Sequence, residues 1–218
     1  MIVMNKNIPT KMEKKTENIL LLQKEIMDWK TKSELQIFNS IKLFEKIPRD
    51  EFSLYYVSYL TDNKFADNLL KIADNYPDNE KMILNIISIL GNMIIRYKLT
   101  ETPEIYNFIL ANSTKKGIAG YVSIYLTKLK SFEYYPNKWE YFMSMQKMVP
   151  KKVAHQNLVG IINQNIQNIP EEYKKEVLSF LQTKHNSTNN IGGKKMYLDM
   201  INKIKNCHAE IRGCSGIN

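Results

Sequence analysis

Arginine, glycine, proline and cysteine are all scarce in this 218-residue chain, which holds three Arg, eight Gly, seven Pro and two Cys. So few turn-forming residues exclude a sandwich or barrel built from many short strands. The two cysteines, Cys207 and Cys214, lie in the last dozen residues. They cannot staple the body of the chain, and a reducing, cytoplasmic setting is the expectation. No apolar core of 7 to 15 residues follows Met1, so no secretion leader is expected. The longest apolar stretch, 82–95, is interrupted by Asn85, Ser88, Gly91 and Asn92, and it is shorter than the roughly 20 residues that span a bilayer. No membrane partner is expected.

Catalytic signatures are also missing. His155, His185 and His208 form no His-Glu-x-x-His pattern, and no paired Cys-x-x-Cys accompanies them, which argues against a zinc hydrolase. Cys207, His208 and Cys214 supply three soft ligands without a fourth. Gly192-Gly193-Lys194-Lys195 lacks both the upstream glycine and the Ser/Thr of a phosphate loop. Within 186–193 the polar, Gly-ended run has the composition of a flexible linker. A non-catalytic protein without metal, cofactor or small-molecule substrate is the expectation.

What is present is helix-forming. The chain is 44% hydrophobic and 24% charged, and Lys, Leu, Ile, Met and Glu are abundant. Apolar periodicity and punctuation predict an all-α fold of about 10–11 helices near 14–30, 33–47, 50–61, 63–75, 78–98, 103–112, 115–131, 136–148, 151–169, 170–184 and 194–208. Ser33-Glu34-Leu35-Gln36 has the form of a capping box, with Leu35, Phe38, Ile41 and Phe44 expected on the buried face behind it. Asp78 precedes an apolar run as an expected cap, and Thr102-Pro103-Glu104 sets a cap, a first-turn proline and a first-turn acid in order. Pro48, Pro77, Pro136, Pro150 and Pro170 separate other segments. A single domain is expected over 1–208, with capping helices at 1–62, repeat-like pairs at 63–208 and a flexible tail at 209–218.

Three of the longer predicted helices place Gly91, Gly120 and Gly160 within similar apolar cores. Glycine inside a helix costs about 0.5–1 kcal/mol relative to Ala, so each suggests the close approach of a neighbour. Pairing each long helix with the shorter one before it gives units starting near 63, 103, 136 and 171. That spacing falls in the range of two-helix repeats. On these residues the chain resembles the HEAT-like, or more loosely armadillo-like, α-helical repeat proteins. The resemblance implies antiparallel helix pairs stacked as a short right-handed α-solenoid, whose inner helices line a binding face.

Polar stripes mark the candidate binding residues. On the 78–98 helix Asn85, Ser88, Asn92 and Arg96 share one line, as do Lys116, Ser123, Thr127 and Lys130 on the next and Lys152, Gln156, Asn163 and Gln167 on a third. Such stripes either form a groove of amides, hydroxyls and cations or are the solvated edge of packed helices. Tyr134 and Tyr135 fall in a connection, where aromatics anchor partners or stack on bases, whereas Trp139, Phe142 and Met143 have core spacing.

The formal charge is +9, and 28 of the 31 cations are Lys. Arg is the residue suited to bidentate phosphate recognition, so the Lys excess fits compositional bias as well as an anionic partner. Two function classes follow. The first is a binder of a protein partner, acidic in character, of the immunity or inhibitor type. The second is nucleic-acid binding through the basic C-terminal half, reaching at fold level to small HEAT-like DNA glycosylases. For a glycosylase site the chain offers only Trp29 and Trp139, and Asp199 is the sole Asp after Asp78.

Overall fold

The computed structural model describes residues 10–50 and 52–213, with side chains described as far as Asn206. Among them are ten α-helices, five short 3-10 segments and no strand. The chain divides into two compact units, one made of 1–113 and 125–132, the other of 114–124 and 133–218.

Unit 1 is built on α1 (Lys11–Met27), α2 (Glu34–Asp50), α3 (Asn63–Asn75), α4 (Glu80–Tyr97) and α5 (Pro103–Ala111). Local chemistry sets their starts. Thr10 Oγ1 accepts from the Glu13 amide at 3.2 Å, and the Glu13 carboxylate accepts from the Thr10 amide at 2.6 Å. This reciprocal pair begins α1 three residues earlier than its apolar pattern predicts. The Ser33/Gln36 box forms as expected, at 3.4 Å and 2.9 Å. Thr102 caps α5, with Pro103 in its first turn. On α4 the cap is Asn79 rather than Asp78, its side chain accepting from the Met82 amide at 3.0 Å.

The core of unit 1 follows from these ends. Ile37, Ile41 and Phe44 of α2 are fully buried, and Phe44 meets Phe65 of α3 with ring centroids 4.9 Å apart. Leu35, expected on that face, is 68% exposed. Steps of exactly three drift off a helix that turns every 3.6 residues, and the stripe that packs is 37, 41, 44 and 48. α4 packs along α2 and α3, with Met82, Ile83, Ile86, Ile87, Ile89, Leu90 and Met93 all interior. Polar stitches join distant segments: Gln23 donates to the Tyr59 carbonyl, Asn68 to that of Ile26, and Trp29 to Asn68.

Several predicted helices are shorter than expected, for visible reasons. The 50–61 segment is helical only as a 3-10 turn at Leu54–Tyr59, capped by Ser53. The 115–131 segment contains α6 (Ala119–Leu126) and then a 3-10 turn at Lys130–Tyr134. Gly117 adopts a φ of 99°, which no continuous right-handed helix permits. Glu101 then accepts both the Lys130 and Ser131 amides, at 2.8 and 3.0 Å, and starts the later turn separately.

In unit 2, α7 (Lys138–Ser144) buries Trp139, Phe142 and Met143, and Trp139 stacks on Tyr173 of α9 (Glu171–Ser187). α8 (Lys151–Gln164) ends well before 169 and is followed by a 3-10 turn at Ile166–Asn168. α10 (Ile191–Gly213) packs along α9 and buries Met200, Ile201 and Ile204. The expected linker at 186–193 is only three residues of connection. Asn190 accepts the Gly193 amide at 2.7 Å and draws both glycines into the first turn of α10. That helix continues past 208 into the segment expected to be a tail.

The glycines divide. A Cβ on Gly91 would lie 2.3 Å from the Tyr125 ring and 2.9 Å from its Cβ, and one on Gly120 would lie 2.8 Å from the Pro150 carbonyl oxygen. Gly160 faces open space. Gly91→Ala should therefore lower stability by about 1–3 kcal/mol through overpacking, while Gly160→Ala should raise it by about 0.5–1 kcal/mol. Equilibrium denaturation of both variants checks the contrast. A gain at both positions would show that the Tyr125 ring yields.

The Thr10 hydrogen bonds hold the Glu13 carboxyl below its ordinary value of 4.5. A carboxyl lowered in the folded state contributes stability above its unfolded value and loses it as pH falls through the folded one. Amide exchange at Glu13 and Lys14 should quicken, relative to the intrinsic rate, on acidification through that window, and in Glu13→Gln this acid step should be absent.

Candidate functional site

The predicted stripes fall into both units. Asn85, Ser88, Asn92, Arg96, Thr127 and Lys130 belong to unit 1; Lys116, Ser123, Tyr134, Tyr135, Lys152, Gln156, Asn163 and Gln167 belong to unit 2.

On α4 the stripe is not a solvated line. Ser88 and Asn92 are buried, and they belong to an interior hydrogen-bond seam. Ser88 Oγ donates to the buried Glu45 carboxylate at 2.6 Å, which leaves its lone pair to accept from Tyr125 OH at 2.8 Å. Asn92 donates to the Ser88 carbonyl at 2.9 Å and lies 3.3 Å from Tyr125 OH. Arg49 reaches the other Glu45 oxygen at 2.6 Å and donates to Asp50 at 2.7 Å. Those two bonds raise the Arg49 guanidinium above its ordinary value, Asp50 contributing most, and Arg49 in turn lowers the Asp50 carboxyl. Arg96 donates to the carbonyls of Pro48 and Arg49, orphan acceptors in the last turn of α2. Only Asn85 of the four is left half-buried without a role in this seam.

The second stripe is dispersed by the shortness of α6. Ser123 is buried and donates to the Gly120 carbonyl at 2.9 Å, while Asn157 donates to the Ser123 carbonyl at 3.0 Å. Thr127 is half-buried, and Lys116 and Lys130 are exposed outside the helix. Tyr134 is 83% exposed, and Tyr135 is half-buried.

The third stripe produces a surface site. Lys152 and Gln156 are exposed near the start of α8, whereas Asn163 and Gln167 meet in a cleft of about 520 Å³ with Gln164, Asn168, Lys203 and Asn206. The end of α8 and the 3-10 turn after it form one wall and α10 the other. A hollow of about 290 Å³ shares Asn163 and Lys203 and continues along α10 past Lys195, Asp199 and Met200. The local cause is an amide run, Asn163-Gln164-Asn165-Ile166-Gln167-Asn168. Asn165 turns back to the Ile161 carbonyl at 2.8 Å and ends the helix, so the remaining amides fan out at its C-terminal edge. The run was visible in the sequence; Lys203 and Asn206, some 40 residues on, were not.

Each primary amide offers two N–H donors and a carbonyl acceptor. A row of them matches any partner that alternates donors and acceptors, and the lysines favour negative charge. Of the +9 formal charge, +7 belongs to unit 2. The described residues include no cluster of three or more His, Cys, Asp or Glu able to hold a metal ion. The Cys207, His208 and Cys214 trio lies outside the residues whose side chains are described. No described helix is long and apolar enough to cross a membrane. No family model, curated protein or solved structure matches the chain.

The seam yields one prediction. Ser88→Ala leaves a buried carboxylate oxygen and Tyr125 OH without their shared partner, a loss of about 1–3 kcal/mol. Denaturation of Ser88→Ala should show it, whereas Asn85→Ala should stay within about 0.5 kcal/mol of the parent.

Proposed function

We propose that the chain is a non-catalytic binding protein whose partner is another protein, held in the amide-lined cleft of unit 2. The observation that supports this reading is the cleft that Asn163, Gln164, Gln167, Asn168 and Asn206 line together with Lys203. Amides gathered from two segments on an exposed surface suit peptide groups, which present donors and acceptors in alternation. Lys195 and Lys203 favour acidic side chains on the partner and faster, steered encounter. An inhibitor of the immunity type is consistent with this charge. A HEAT-like α-solenoid of stacked pairs belongs to the same proposal, supported by the close approaches at Gly91 and Gly120.

Nucleic acid is the second reading, favoured by the +7 charge of unit 2. Among the described residues the cleft lining holds no aromatic ring on which a base could stack, which sets this reading behind the first.

A photo-crosslinking residue placed at Gln167, in cells of the source organism, should form a protein adduct that is lost when Lys203→Glu is added. Asn107, exposed on α5, serves as the control and should give none. Equal adducts from both positions would defeat the cleft as the binding site. Adducts to nucleic acid, with column retention falling log-linearly with salt, would move the assignment to the second reading.

A further inference from the structure

Unit 2 holds a cluster that the cleft does not use. His155 sits one turn into α8, and its Nε2 lies 2.9 Å from the Gln146 carbonyl oxygen. A carbonyl only accepts, so Nε2 carries the proton and Nδ1 presents its lone pair. Lys184 of α9 places Nζ 2.5 Å from that Nδ1 and donates to it. The imidazole stands edge-on to Phe180 with centroids 5.4 Å apart, and Nζ lies 5.5 Å over the same ring. The amine and the nitrogen that can take its proton are therefore held in contact from three sides. Lys151 is one turn before His155 on α8, on the same face and exposed. Burial lowers the Lys184 ammonium from the ordinary lysine value, and the charge of Lys151 lowers it further.

We propose that Lys184 is an acylation site, a nucleophilic amine prepared by His155 that takes the acyl group of an acyl phosphate whose phosphate Lys151 receives. The Lys184 ammonium passes a proton along the existing hydrogen bond to His155 Nδ1, leaving a neutral amine beside an imidazolium. The freed nitrogen lone pair attacks the acyl carbon, forming an N–C bond while the carbonyl pair moves to oxygen. Collapse of this intermediate re-forms the carbonyl and breaks the acyl C–O bond, whose electron pair leaves on phosphate. The departing phosphate takes the proton held on His155 Nδ1, and the second nitrogen proton then moves to the freed Nδ1. The products are an amide on Nζ and inorganic phosphate, and no oxidant or reductant is needed. Nucleophile, proton acceptor and a cation for the leaving group are the three parts such a transfer requires. The amide keeps one N–H for His155 and removes one charge from unit 2.

Acetyl phosphate is the probe. Incubation of the full chain, with peptide mass mapping over time, should show Lys184 acetylated about ten-fold faster than Lys152 and Lys175, exposed lysines of the same two helices that lie outside the cluster. Lys151→Ser should slow Lys184 several-fold with acetyl phosphate but not with a neutral acetylating ester. His155→Phe, which keeps a ring against Phe180, should erase the advantage with both reagents. Lys184 reacting no faster than Lys152 or Lys175 in the unaltered chain would overturn the proposal. Equal slowing of both reagents by Lys151→Ser would overturn the phosphate-binding role of Lys151.

Discussion

Glu45 is a carboxylate 5% exposed, and an isolated charge cannot enter an apolar interior without pairing or hydrogen bonding. Unit 1 is organised around meeting that demand. Arg49 one turn away satisfies one oxygen, and Ser88 from α4 satisfies the other. Because the Ser88 hydroxyl is spent as a donor, it must be approached by a second donor, and Tyr125 fills that place. The tyrosine ring reaches it by crossing α4 at Gly91, where any side chain would obstruct it. Within unit 1, α2, α4 and Tyr125 are thus held in one register by a sequence of obligations that begins with a single charge. Apolar contacts supply most of the burial, but they would tolerate small slips that the seam does not.

How much of this was legible depends on the range of the interaction. Helix starts were legible where the cap lies within three residues, as at Ser33 and Thr102, and α3 begins and ends at the predicted residues. Breaks imposed from elsewhere were not: Glu101 restarts the chain at Lys130 from 29 residues away. The polar line on α4 shows the same limit. Ser88 and Asn92 have the spacing of a solvated edge, and only the position of Glu45, 43 residues earlier, turns that edge inward. For the cleft, five of the seven lining residues come from the amide-rich segment 163–168, which is why Asn163 and Gln167 were among the candidates. The opposite wall comes from α10, and no local pattern announces Lys203 or Asn206.

The charge is also better resolved by the structure than by composition. A basic chain with few arginines does not distinguish an anionic partner from a bias toward lysine. Dividing the charge between units gives the question a place. Unit 1 carries +2 and spends its arginines internally, on Glu45, Asp50 and the end of α2. Unit 2 carries +7, and its lysines are mostly exposed. Both the cleft and the Lys184 pair lie there, so the unit with the excess cations also holds the unassigned chemistry.

The path of the chain between the units has a consequence for how the protein can be made. Unit 1 is not complete at Ser113; the chain enters unit 2, returns with Tyr125 for one short stretch, and leaves again after Phe132. During synthesis the Ser88 hydroxyl cannot acquire its tyrosine until part of the other unit has already emerged from the ribosome. A single cut or splice cannot separate the two, since any break before 125 strands Tyr125 on the wrong fragment and any break after 132 carries 114–124 with it.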